Sequence, residues 1–166
     1  MRASFAYLLV LANLAPLLAA PIARAAWPTD PMVNMPLCTA SGDQILPVVA
    51  SDGAGGVIAV WFDHRGADYD IYAQRITANG QRAWMQDGVP ICTAAKDQTY
   101  PVILADDTGG AIIAWPDFRD STHFQIYAQS VGPDGSLRWA TDGVRVCAAA
   151  GIAMTSSQKI THLERR

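Results

Sequence analysis

The residues best suited to chemistry come in pairs. Asp63 and Arg65 recur as Asp117 and Arg119, each set as D-x-R directly after an apolar run that contains a tryptophan, Trp61 or Trp115. An arginine presents a planar fork of donors that grips a carboxylate or phosphate in bidentate fashion, so these four residues are the candidate ligand-binding set. Occurrence once per unit points instead to a structural part: a catalytic site is one asymmetric constellation, whereas a scaffold needs its ties everywhere. His64, Asp68 and Asp70 beside Asp63 invite a metal reading. The second copy has Phe118, His123 and Gln125 there, so the acids are not kept and no metal or other cofactor is expected. No serine, cysteine or histidine constellation for nucleophilic attack stands out. Gly55-Gly56 precedes no helix that would make it a phosphate loop.

The stretches carrying these pairs are copies of one another. Residues 52–75 read DGAGGVIAVWFDHRGADYDIYAQR and residues 106–130 read DDTGGAIIAWPDFRDSTHFQIYAQS. Gly55 and Gly56 fall on Gly109 and Gly110, Trp61 on Trp115, and Tyr72 on Tyr127. Farther on, WMQDGVPIC (84–92) returns as WATDGVRVC (139–147), which places Trp84 on Trp139. Residues 27–38, WPTDPMVNMPLC, are a looser third version: 11 residues separate its Trp and Cys against 8 in the others. Two full repeats, 38–91 and 92–146, therefore lie in a region spanning 26–150, preceded by the lone last strand of a repeat at 27–37.

Turn signals every 8 to 14 residues, without a helical period between them, make the chain all-β. In the first repeat the expected strands are Ile45–Ser51, Val57–Asp63, Asp70–Thr77, and a fourth that begins at Gln81–Met85 and runs on to Cys92. Glycines in the 52–56 turn supply positive φ. Val57 to Phe62 is apolar at every position, as is Ala111 to Trp115, so both faces of this strand need cover. Four-stranded antiparallel repeats stacked as blades of a partial β-propeller meet that need; a two-sheet β-sandwich is the alternative. Trp61, Trp84, Trp115 and Trp139 fit inter-sheet packing better than a carbohydrate groove.

The ends read differently. Arg2 and an apolar run to Ala20, closed by Ala23-Arg24-Ala25, form a signal-peptide pattern over residues 1–25 with cleavage expected between Ala25 and Ala26. The expected destination is secreted, periplasmic or cell-surface. Cys38, Cys92 and Cys147 sit at equivalent repeat positions, which in adjacent repeats are usually too far apart to bridge, and read as small buried hydrophobes, with a disulfide or a zinc site as the alternatives. After Cys147 the pattern fails: residues 151–166 carry no Asp-Gln, no Pro-Val and no Gly-Gly turn, as expected of an out-of-register, disordered tail. Two blades cannot close a ring, so the chain reads as a fragment of a longer protein or as one that self-associates through open blade faces.

With its Gly-Gly turn, W-x-D-x-R and I-Y-A-Q strand, the roughly 55-residue unit resembles secreted bacterial β-propeller-like repeat proteins. The resemblance implies an exported radial array without carrying over catalytic residues. The expected function is a non-enzymatic, surface-associated binding or interaction scaffold for glycan or protein, with part of a sialidase- or glycosidase-type propeller hydrolase as the alternative. A formal net charge of −3 gives no electrostatic reason to expect nucleic acid or an anionic membrane as a partner.

Overall fold

The computed structural model describes residues 27–147 apart from 29, 31 and 107. The expected leader, 1–25, and the tail, 151–166, lie outside the described residues. The described chain is all-β, with no helix and two four-stranded antiparallel sheets. The first contains β1 (Gln44–Ser51), β2 (Val57–Asp63), β3 (Asp70–Ile76) and β4 (Val89–Cys92) in that spatial order. The second contains β5 (Val102–Ala105), β6 (Ala111–Asp117), β7 (Gln125–Val131) and β8 (Val144–Cys147), also in chain order.

The sheets correspond residue for residue. Trp61 pairs with Tyr72 and Asp63 with Asp70 in the first; Trp115 pairs with Tyr127 and Asp117 with Gln125 in the second. Irregular backbone recurs in step: Leu46 and Tyr100, each before a proline, have φ of 49° and 50°, and Asp87 and Asp142 have φ of 62° and 59°. The two Gly-Gly turns divide their labour. Gly55 and Gly109 adopt left-handed backbone, φ 84° and 89°, whereas Gly56 and Gly110 are needed for room, since a Cβ there would collide with the carbonyls of Ile76 and Val131.

Two expected strands are corrected. The expected fourth strand is not continuous: Arg82 bridges Ile76 at the end of β3, with Ala83 N–H donating to the Arg75 carbonyl at 2.7 Å, then Trp84 to Gly88 forms a turn closed by Gly88 N–H donating to the Met85 carbonyl at 3.1 Å, and regular pairing with β3 resumes over Val89–Cys92. Residues 27–38 form no strand among the described residues.

Packing joins unlike faces. Strand alternation puts Ile58, Val60 and Phe62 on one side of β2, with Ile71 and Ala73 of β3 beside them. These residues share one buried cluster with Ala111, Ile113 and Trp115 of β6. In repeat register, however, Ile58, Val60 and Phe62 correspond to Ile112, Ala114 and Pro116, the other face of β6. The sheets therefore stack head to tail, right face on left face, with β5 lying against β1. Both faces of β2 are covered, as its unbroken apolar run requires. The far face of β6 is not: Ile58 is 0% exposed and its counterpart Ile112 is 39% exposed. The same contrast separates Trp84, 7% exposed, from Trp139, 40%, and buried Cys92 from exposed Cys147.

Equal substitutions at one repeat position should therefore cost unequal amounts. Ile58→Ala should destabilise the chain by about 2–5 kcal/mol, with Ile112→Ala costing about 1 kcal/mol or less, in urea denaturation.

Candidate functional site

The D-x-R pairs sit where the second strand of each sheet ends. Asp117, buried on the face turned to the first sheet, accepts Trp115 Nε1–H at 2.9 Å on Oδ2. Arg119 closes on it with both prongs: Nε donates to Oδ1 at 2.9 Å, Nη2 donates to Oδ2 at 2.6 Å, and the backbone N–H of Arg119 donates to Oδ1 at 2.9 Å. The guanidinium lies 3.7 Å from the Tyr127 ring centroid, and Nη2 also donates to the Asp142 carbonyl at 2.9 Å. The first sheet repeats every contact with Trp61, Asp63, Arg65, Tyr72 and the Asp87 carbonyl.

Each clamp also reaches backward along the chain. Arg119 Nη2 donates to Cys92 Sγ at 3.4 Å, and the Cys92 thiol points to Asp117 Oδ2 at 3.8 Å, tying the end of the first sheet to the second. Arg65 Nη2 meets Cys38 Sγ at 3.3 Å in the same way. Burial pushes the Cys92 thiol up to about 12, so it remains protonated and a poor nucleophile at neutral pH.

The electrostatics favour a closed ion pair. Burial raises the pKa of Asp63, but hydrogen bonds from Arg65 and Trp61 outweigh it and hold the carboxyl below its ordinary range. The hydrogen bonds that Arg65 donates to Asp63 in turn raise Arg65, against the opposing effect of burial. With Nε and Nη2 engaged, only Nη1 of each arginine has no partner among the described residues. Asp63 with Arg65 and Asp117 with Arg119 are each brought together, but the two clamps belong to successive stacked sheets, about 10 Å apart face to face, and do not converge on one point.

The tryptophans divide into two roles. Trp61 and Trp115 donate within their own clamp, whereas Trp84 Nε1 donates across the sheets to the Pro133 carbonyl at 3.0 Å. Trp27 repeats that bond to the Ala78 carbonyl at 3.0 Å. Other polar ties carry a repeat signal in the sequence, but their chemistry needs the fold to be visible. Gln74 and Gln129, fully buried, accept from Trp84 N–H and Trp139 N–H and donate to the Met85 and Ala140 carbonyls, stapling each turn to its sheet. Asp52, at the head of the 52–56 turn, accepts from the N–H groups of Ala54 and Gly56 and pairs with Arg75 at 2.9 Å.

The loops 64–69 and 118–124 differ most between the sheets, and they share one end of the stack. There Lys96 N–H donates to Asp68 and Tyr69 N–H to Asp97, and His64 lies against the Tyr69 ring. Among the described residues no group of three or more His, Cys, Asp or Glu side chains converges as metal ligands. Asp70 stands out: burial, then the charges of Asp63, Asp68 and Asp142, raise it to about 6. No known protein family, curated protein or solved structure matches this chain.

Asp117→Ala should lower stability by about 3 kcal/mol in urea denaturation, because it leaves the partly buried Arg119 guanidinium and the fully buried Trp115 N–H without their acceptor. Two pH windows are expected. Asp70, raised in the fold, contributes stability that is complete below its ordinary value of 3.8 and lost as pH rises through about 6. Asp63, Asp52 and Asp106, lowered in the fold, contribute stability present above the ordinary value and lost as pH falls through their depressed range. Asp70→Asn should flatten the upper window and, after discounting for solvent screening, raise stability at pH 7 by about 1 kcal/mol, measured by thermal unfolding across pH.

Proposed function

We propose that this chain is an exported, non-enzymatic repeat module, its two sheets successive blades of a partial β-propeller and its role that of a surface binding or interaction scaffold. The observation that carries the reading is the head-to-tail stacking, in which the D-x-R clamps are spent on internal ties. A fork already closed on a buried aspartate, hydrogen-bonded to a tryptophan and seated on a tyrosine, has one edge left for a ligand. Duplicated clamps of this kind suit a scaffold better than a catalytic centre. The lateral meeting of the first strands β1 and β5 suits blades arranged about an axis. Arg2, the apolar run and Ala23-x-Ala25 support export, and the likeness to secreted bacterial propeller-like repeat proteins agrees with it.

Binding belongs to the rim formed by loops 64–69 and 118–124. These loops carry side chains that differ between the copies, among them His64, Asp68, Phe118 and His123, on sheets of the same strand order and register. A scaffold of this design takes a glycan or a protein surface, and it does not need the arginine forks for turnover.

Purified residues 26–166 should bind on a glycan array or capture a surface protein, lose that binding when both rim loops are replaced by Gly-Ser segments, and show no hydrolysis of fluorogenic sialosides or glycosides. Turnover that disappears in the Arg65→Ala, Arg119→Ala double variant would replace this reading with the hydrolase one.

A further inference from the structure

The second sheet leaves uncovered a face whose counterpart in the first sheet is an interface. Ile112, Ile126, Trp139, Val144 and Val146 are 38–64% exposed, whereas their counterparts Ile58, Ile71, Trp84, Val89 and Ile91 are 0–7% exposed against the second sheet. Trp84 Nε1 donates to a carbonyl of the next sheet; Trp139 Nε1 has no acceptor among the described residues. Cys92 is met by the arginine of the next sheet; Cys147 is exposed.

The surface complementary to that open face exists in the same molecule. The left face of the first sheet offers the Ala78 carbonyl in the place of the Pro133 carbonyl, the Asp63–Arg65 clamp in the place of Asp117–Arg119, and Ala59 and Trp61 in the places of Ile113 and Trp115. Residues 27–38 hold this face. Trp27 Nε1 donates to Ala78, Cys38 meets Arg65, and Thr39 N–H donates to Asp87 at 2.7 Å. The hold is loose. Its described residues form no strand, Trp27 is 43% exposed, Met32 is 86% exposed, and its Trp and Cys stand 11 residues apart. Trp139 and Cys147 keep the 8-residue spacing used inside the chain and are carried on β8, already hydrogen-bonded to β7.

We infer that the chain self-associates head to tail: the open face of the second sheet in one copy docks on the first sheet of another, and its Trp139–Cys147 segment displaces residues 27–38 of that copy. Each copy gives one face and receives another, a heterologous contact that builds a ring if the rotation closes and a filament if it does not. A ring of four to eight sheets takes roughly two to four copies. One tie is lost in the transfer, because Ser130 stands where Arg75 donates to the Pro133 carbonyl. The N-terminal segment thus acts as a removable cap whose strength sets the association constant. The inference rests on the stacking geometry and is independent of any rim ligand.

Sedimentation velocity of residues 26–166 over a wide concentration range tests it. The parent should associate with rising concentration. Trp27→Ala, which weakens the cap, should associate at least about tenfold more tightly, and Trp139→Ala should remain a monomer. The double variant should also remain a monomer, with circular dichroism and unfolding midpoint showing that each variant is folded. A parent and Trp27→Ala variant that both stay monomeric at the highest concentration would overturn the inference. So would a double variant that associates as strongly as Trp27→Ala alone.

Discussion

The structure depends on a strand that is apolar on both sides. Val57 to Phe62 has no polar position to turn toward water, so the sheet built around it must be covered twice, once by a sheet ahead and once by chain behind. A sheet with two apolar faces does not end a stack; it passes the same requirement to its neighbour. The unlike faces that meet between β2 and β6 are the form this takes here, and the partly exposed far face of β6 is the requirement handed on without an answer among the described residues.

Apolar stacking alone would let sheets slide, since hydrophobic contact is not directional. The polar ties fix their register. Asp117 and Arg119 form a charge-assisted, bidentate pair whose spare contacts run to Tyr127, to the turn before β8 and to Cys92 of the preceding sheet. Trp84 adds a single directional bond to Pro133 at the other end of the interface. Because burying a charge is costly unless every lone pair is used, these clamps are all-or-none features, and their recurrence in both sheets follows from their place at the stacking surface rather than from a reaction.

Much of the fold was legible in the sequence, because the interactions that decide it are local. The limits of β2 follow from its apolar run and the Gly-Gly turn, and β3, expected over Asp70–Thr77, ends one residue earlier at Ile76. The fourth strand, continuous by expectation, is interrupted between Arg82 and Val89 by the Trp84–Gly88 turn, held by Gln74, a buried side chain ten residues away that nothing in its own segment announces. Residues 27–38 resemble a strand in composition, yet their described residues form none. Asp63, Arg65, Asp117 and Arg119 were visible as the polar repeat, while their closure into clamps depends on backbone geometry and on Tyr72 and Tyr127 lying across the strand pair. Asp70 was legible only as one of several neighbouring acids, since its raised pKa comes from burial and from acids gathered by the fold.

Isotope-edited NMR on methyl groups reads the central claim directly. Cross-relaxation from the methyls of Ile58 and Val60 should reach Ala111 and Ile113 and leave Ile112 and Ala114 silent, because unlike faces of equivalent sheets are in contact. Cross-peaks from Ile58 and Val60 to Ile112 and Ala114 instead would mean that like faces meet, and the head-to-tail account would be wrong.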